Sequence, residues 1–108
     1  MTELTRARQE LDDLADELSA QGASRGMIFG HHGLKTPARK VFCFEHGDSL
    51  VFRMTGEAYD AALALPGAHV FAPRKDRPAM GNWIVVPDAN VDEWPELART
   101  ALDLRLKD

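Results

Sequence analysis

The chain has 108 residues, 44% of them hydrophobic and 28% charged, with a net charge of −4 and a single cysteine. That length suits one domain around one modest core, so residues 1–108 are read as a single unit. The composition excludes an internal disulfide, and no apolar run approaches the roughly 18–20 residues a membrane helix needs.

The net charge hides an asymmetry. Between Gly22 and Trp83 stand eight cations and five anions, so the centre is +3 and the two ends together are −7. Acidic ends around a mildly basic centre fit a local anion-attracting face. They do not fit a general nucleic-acid binder, whose whole domain is usually basic.

Leu4, Ala7, Leu11, Leu14 and Leu18 recur at spacings of three and four, which predicts one apolar stripe on a helix from Thr2 to Gln21, stopped by Gly22. The stripe lasts under three heptads, so docking onto a sheet is expected rather than a coiled coil. This acidic N-terminus lacks the basic start and apolar stretch of a secretory signal, and a cytoplasmic location is the default expectation.

Arg25–Phe29 is a short strand candidate ending at Gly30, and 31–38 reads as a loop rich in turn residues. Lys40–Glu45 and Ser49–Met54 are β-rich runs separated by His46, Gly47 and Asp48, the pattern of a hairpin. Strict alternation along the first run puts Val41 and Cys43 on one face and Phe42 and Phe44 on the other.

Thr55 caps a short predicted helix from Gly56 to Leu65, with Glu57 in its first turn and Tyr59, Ala62 and Leu63 on its buried face. Pro66 and Gly67 end it. A strand over Ala68–Phe71, a basic loop, and a strand over Trp83–Val86 closed by Pro87 follow. A last helix runs from Val91 to Leu106, with Asp92 as N-cap and Pro95 in its first turn. The order α-βββ-α-ββ-α predicts an α+β two-layer domain on an antiparallel sheet of about five strands.

Groups with chemistry are sparse. His31 and His32 are adjacent and so point apart, whereas metal sites need converging ligands. They read as loop histidines exposed to solvent. Cys43 reads as a small buried hydrophobe. Ser19, Ser24 and Ser49 lack a nucleophile-elbow context. Gly26, Gly30 and Gly33 are not followed by a helix, so they mark turns and close backbone approaches rather than a phosphate cradle. No cofactor or metal is implied, and no catalytic set is found. A ligand pocket near His31, His32 and Trp83 would require those groups to converge on one cavity. Trp83 and Trp94 read as core anchors.

The cations carry more. Arg74, Lys75 and Arg77 share one loop, and Lys35, Arg39 and Lys40 share another. If both loops lie at one end of the sheet, they form a basic rim able to neutralise phosphates.

Short runs along most of the chain resemble a known family group. Met27-Ile28-Phe29-Gly30, Gly33-Leu34-Lys35, Lys40-Val41-Phe42 and Leu50-Val51-Phe52-Arg53 are similar to the TfoX N-terminal domain and the MmcQ/YjbR-like proteins. Phe71-x-Pro73-Arg74-Lys75, Met80-Gly81-Asn82-Trp83, Val86-Pro87 and Trp94-Pro95-Glu96-Leu97 continue the likeness. The resemblance implies an α+β fold like the type III secretion chaperones. It implies a non-enzymatic interaction or regulatory module that binds a protein partner or forms a homodimer. For the MmcQ/YjbR type it implies DNA binding as the alternative, through the rim of two loops. It brings no catalytic residues.

Overall fold

A computed structural model describes residues 5–28, 30–72 and 81–107. In chain order the elements are α1 (Arg6–Leu18), β1 (Ser24–Ile28), β2 (His31–Lys35), β3 (Val41–His46), β4 (Ser49–Arg53), α2 (Gly56–Leu63), β5 (His69–Val70), β6 (Trp83–Val86) and α3 (Trp94–Leu106). One 3₁₀ turn, Ser19–Gln21, extends α1, and another, Asp88–Glu93, leads into α3. Among the described residues six strands form one antiparallel sheet in the order β1-β2-β3-β4-β6-β5. The class is α+β, with an antiparallel sheet and, among the described residues, three α-helices. Among the described residues no helix is long and apolar enough to cross a membrane.

The predicted first helix starts later than expected. Thr5 is extended and its hydroxyl accepts from the Arg8 N–H at 3.1 Å, an N-cap that satisfies one of the free amides of the first turn. The expected start at Thr2 falls outside the described residues. Ala7, Leu11, Leu14 and Leu18 are buried, as the stripe requires. Gly22 sits at φ 91, where its lack of a Cβ lets the chain leave the helix.

The expected loop over 31–38 is corrected: His31–Lys35 is a full strand, so the order is α-ββββ-α-ββ-α. Only Leu34 of its five residues is strongly apolar, which is why propensity missed it. Pairing with β1 on one side and β3 on the other holds it extended.

The expected alternation in β3 is corrected too. Lys35 faces Val41 while Leu34 faces Cys43, so Phe42 is one extra residue and makes a β-bulge. Phe42 and Cys43 therefore both enter the main core, while Phe44 belongs to the opposite face. Cys43 is buried, and burial pushes its thiol well above the ordinary value.

The main core lies between the sheet and the helices, where the α1 stripe and Trp94, Ala98, Ala101 and Leu102 of α3 meet Leu34, Leu50, Phe52, Ile84 and Val86. The last helix begins three residues after its predicted start, and neither Asp92 nor any other side chain caps it. Packing of Trp94 holds that end, with Pro95 in the first turn, where no N–H is needed.

α1 is also tied to the sheet by charge. The Arg8 guanidinium grips both Glu45 carboxylate oxygens, with Nε at 3.0 Å from Oε1 and 2.9 Å from Oε2. Burial pushes the Glu45 carboxyl up, but the Arg8 hydrogen bonds and charge, with His32 and Arg25 beyond, hold it below its ordinary value of 4.5. The ionised form is thus favoured by folding. Its stabilisation is complete above that value and is lost as the pH falls through the lower folded value. In urea titrations, wild type should exceed Glu45→Gln in stability at neutral pH, and the gap should shrink below pH 4.5. A gap that holds steady on acidification would remove this ion pair as its source.

Candidate functional site

The sheet has a second buried layer on the face turned away from the helices. Phe44, Val51, Phe71, Trp83 and Val85 form it, with Ile28 and Val41 at its margin. Phe44 lies 5.2 Å from Phe71 and 5.3 Å from Trp83 between ring centroids. Sheet order separates β3 from β5 by three strand steps, roughly 14 Å in a flat sheet, so twist and ring length must close that span. Phe44 and Phe71 are 0% and 2% exposed, so their ring faces are not free to stack on nucleic-acid bases.

Histidines gather at one end of this layer. His31 stacks on Phe44 at 5.6 Å and meets His46 edge-on at 5.4 Å, while His46 meets Phe71 at 5.2 Å. Burial lowers the His46 pKa, and the charges of His31 and His69 lower it further. His32 lies on the opposite face, its Nδ1 3.1 Å from Arg25 Nη2. The expectation of two exposed loop histidines is therefore corrected: both are half-buried strand residues. They do not converge with Trp83 on one cavity. Among the described residues no three His, Cys, Asp or Glu side chains are grouped to hold a metal ion. The contact of His31 with His46 was hidden in the sequence because it depends on the β2–β3 register.

The basic residues are partly gathered. Thr36–Lys40 is a tight turn: the Thr36 N–H donates to the Lys40 carbonyl at 2.9 Å, and the Lys40 N–H to Thr36 Oγ1 at 3.2 Å. This brings Lys35, Arg39 and Lys40 together at one end of the sheet, with Arg39 exposed and Lys35 and Lys40 half-buried. Lys35 pairs with Val41 and Arg53 with Trp83, and the Phe71 N–H donates to the Trp83 carbonyl at 2.7 Å. The turn and both flanks of the β5–β6 connection thus leave from the same end. Arg74, Lys75 and Arg77 lie outside the described residues.

A third place was not singled out from the sequence. A groove of about 230 Å³ opens between α2 and α3. Met54, Ala58, Ala61, Leu65 and Leu97 line it, and Glu93 and Glu96 stand beside them. A part-buried polar contact ties its two sides: Asn90 donates its side-chain amide to the Pro66 carbonyl at 2.8 Å, joining the turn before α3 to the segment just after α2. Among the described residues the charges in its lining are acidic, Glu93 and Glu96, while Arg53 and Arg99 adjoin the lining residues Met54 and Thr100. The segments 55–67 and 88–97 carry Glu57, Asp60, Asp88, Asp92, Glu93 and Glu96 and no lysine, arginine or histidine. That local charge was the signal available in sequence, but only the fold shows that the two segments flank one groove.

No family model, no curated protein and no solved structure matches this chain.

Proposed function

We propose that the chain is a non-enzymatic interaction module, resembling the TfoX N-terminal domain and the MmcQ/YjbR-like proteins, that binds a protein partner through the α2–α3 groove. The carrying observation is an apolar groove whose lining, among the described residues, holds two carboxylates, Glu93 and Glu96, and no basic side chain. Its volume is below the roughly 300 Å³ at which small-molecule sites begin, which suits one or two side chains of a partner better than a whole cofactor. An apolar floor with carboxylates at the margin is complementary to a basic amphipathic helix, whose apolar residues enter the groove while its lysines or arginines meet Glu93 and Glu96. The order with three helices on one face of an antiparallel sheet is compatible with the secretion-chaperone-like fold that the resemblance implies.

The test uses a labelled amphipathic helical peptide of leucine and lysine, a leucine–glutamate twin, and duplex DNA, each titrated at low and physiological salt. The basic peptide should bind and the acidic twin should not. The double variant Glu93→Lys, Glu96→Lys should weaken binding about tenfold, which corresponds to about 1.4 kcal/mol. Ala61→Arg, at an exposed position in the groove, should weaken it independently. Equal binding of both peptides, or indifference to both variants, would sink the groove reading. Salt-sensitive DNA binding without peptide binding would instead select the basic end around Lys35, Arg39 and Lys40.

A further inference from the structure

β1 is the outer strand of the sheet, at the opposite side from β5 and β6. Ile28 faces His31 directly, and two residues of the sequence separate them. The pair that closes such a hairpin is hydrogen-bonded, and bonded and non-bonded pairs then alternate along the strand. Ile28, Gly26 and Ser24 therefore direct their backbone groups to β2. The N–H and C=O groups of Arg25 and Met27 point outward, and among the described residues no strand pairs with that side.

Edges of this kind are usually protected by proline, a bulge or an outward charge. β1 contains no proline, and its register with β2 runs unbroken from Ser24 to Ile28. The Arg25 side chain is turned back to α1, where it forms an ion pair with Asp12. Met27 is 57% exposed, the most exposed large apolar side chain among the described residues.

We infer that β1 pairs antiparallel with β1 of a second copy, about a twofold axis at Gly26. In that register Arg25 of each copy faces Met27 of the other, so every outward backbone group finds its complement and four hydrogen bonds cross the interface. Gly26 faces itself in the non-hydrogen-bonded position, where Cα atoms approach to about 4.5 Å, and the absence of a side chain there removes crowding at the axis. Shifting the register by two residues in one direction sets Arg25 against Arg25. The opposite shift leaves Arg25 beyond the strand of its partner. A one-residue shift sets outward groups against inward ones. Self-complementarity in this one register favours a second copy over an unrelated strand. The groove between α2 and α3 lies on the β6 side and stays open in such a pair, so the two readings stand or fall separately.

Sedimentation equilibrium of the full chain should show a mass rising with concentration from 12.0 kDa toward twice that value. Met27→Lys should return it to the single-chain mass with an unchanged far-UV spectrum. Met27→Pro, which removes an outward N–H that has no partner among the described residues, should do the same. Amide exchange at Arg25 and Met27 should slow on association and become fast in Met27→Lys. A single-chain mass at all concentrations, or a double mass that survives both variants, would overturn the pairing.

Discussion

Replacing Trp94 by alanine should destabilise the domain by about 3–5 kcal/mol, the range for deleting a buried aromatic side chain. Trp94 is 0% exposed and opens α3. Its indole N–H donates to the Val86 carbonyl at 3.3 Å, so one side chain both fills the core and fastens the helix to the end of β6. Truncation leaves a cavity and removes a hydrogen bond from a buried carbonyl, and the two losses add. Against a total of about 5–15 kcal/mol for an ordinary domain, the variant would retain a small fraction of its stability. Urea unfolding followed by far-UV dichroism measures the loss. Trp94→Phe, which keeps most of the volume, should lose much less. A cost under about 1 kcal/mol for the alanine variant would show that α3 is anchored elsewhere.

Gly33→Val should cost about 2–3 kcal/mol, near the upper end for forcing atoms into a packed site. A Cβ at Gly33 would stand 2.5 Å from the Cys43 carbonyl oxygen and 2.9 Å from the Phe44 Cβ. Neither neighbour can retreat cheaply. The first is backbone in a central strand, and the second carries a ring held by His31, Phe71 and Trp83. Relief requires separating β2 from β3 or shifting the aromatic layer. Gly81→Ala is the control, because nothing among the described residues lies within 4 Å of its added Cβ. It should change stability by no more than about 0.5 kcal/mol. Equal effects at the two positions would mean that β2 and β3 can part without disturbing the aromatic layer.

Much of the architecture is legible in the residues themselves. The leucine stripe of α1 announces a docked helix because i, i+3 and i+4 positions share one face whatever the surroundings. The β3–β4 hairpin is equally local, since His46 faces Ser49 across Gly47 and Asp48, and Gly47 at φ 60 occupies the turn position that glycine tolerates best. Trp83–Val86 is buried on both faces and reads as a continuous apolar run for that reason.

β2 was not legible, because His31, His32 and Gly33 have little preference for extended structure. What makes them a strand is hydrogen bonding to neighbours on both sides. The bulge at Phe42 was hidden for a related reason. Alternation assigns faces only while the register is unbroken, and a single extra residue moves Phe42 into the same layer as Cys43. The approach of His31 to His46, the open edge at Arg25 and Met27, and the groove between α2 and α3 all arise from relations between elements. No local pattern carries them.

The basic loops mark the boundary between the two kinds of knowledge. Arg74, Lys75 and Arg77 were the most conspicuous charges in the chain, yet the charges that line the groove are Glu93 and Glu96, with further acids in 55–67 and 88–97. Those acids are scattered over two separate segments, and the Asn90 contact to Pro66 brings the segments together. The class of fold, the helix faces and the hairpin follow from backbone periodicity and turn stereochemistry, which neighbouring residues set among themselves. Packing settles which strand is an edge, which face Phe42 joins and where acidic charge and apolar surface coincide. Those features depend on register and strand order, which are long-range properties of the packed chain.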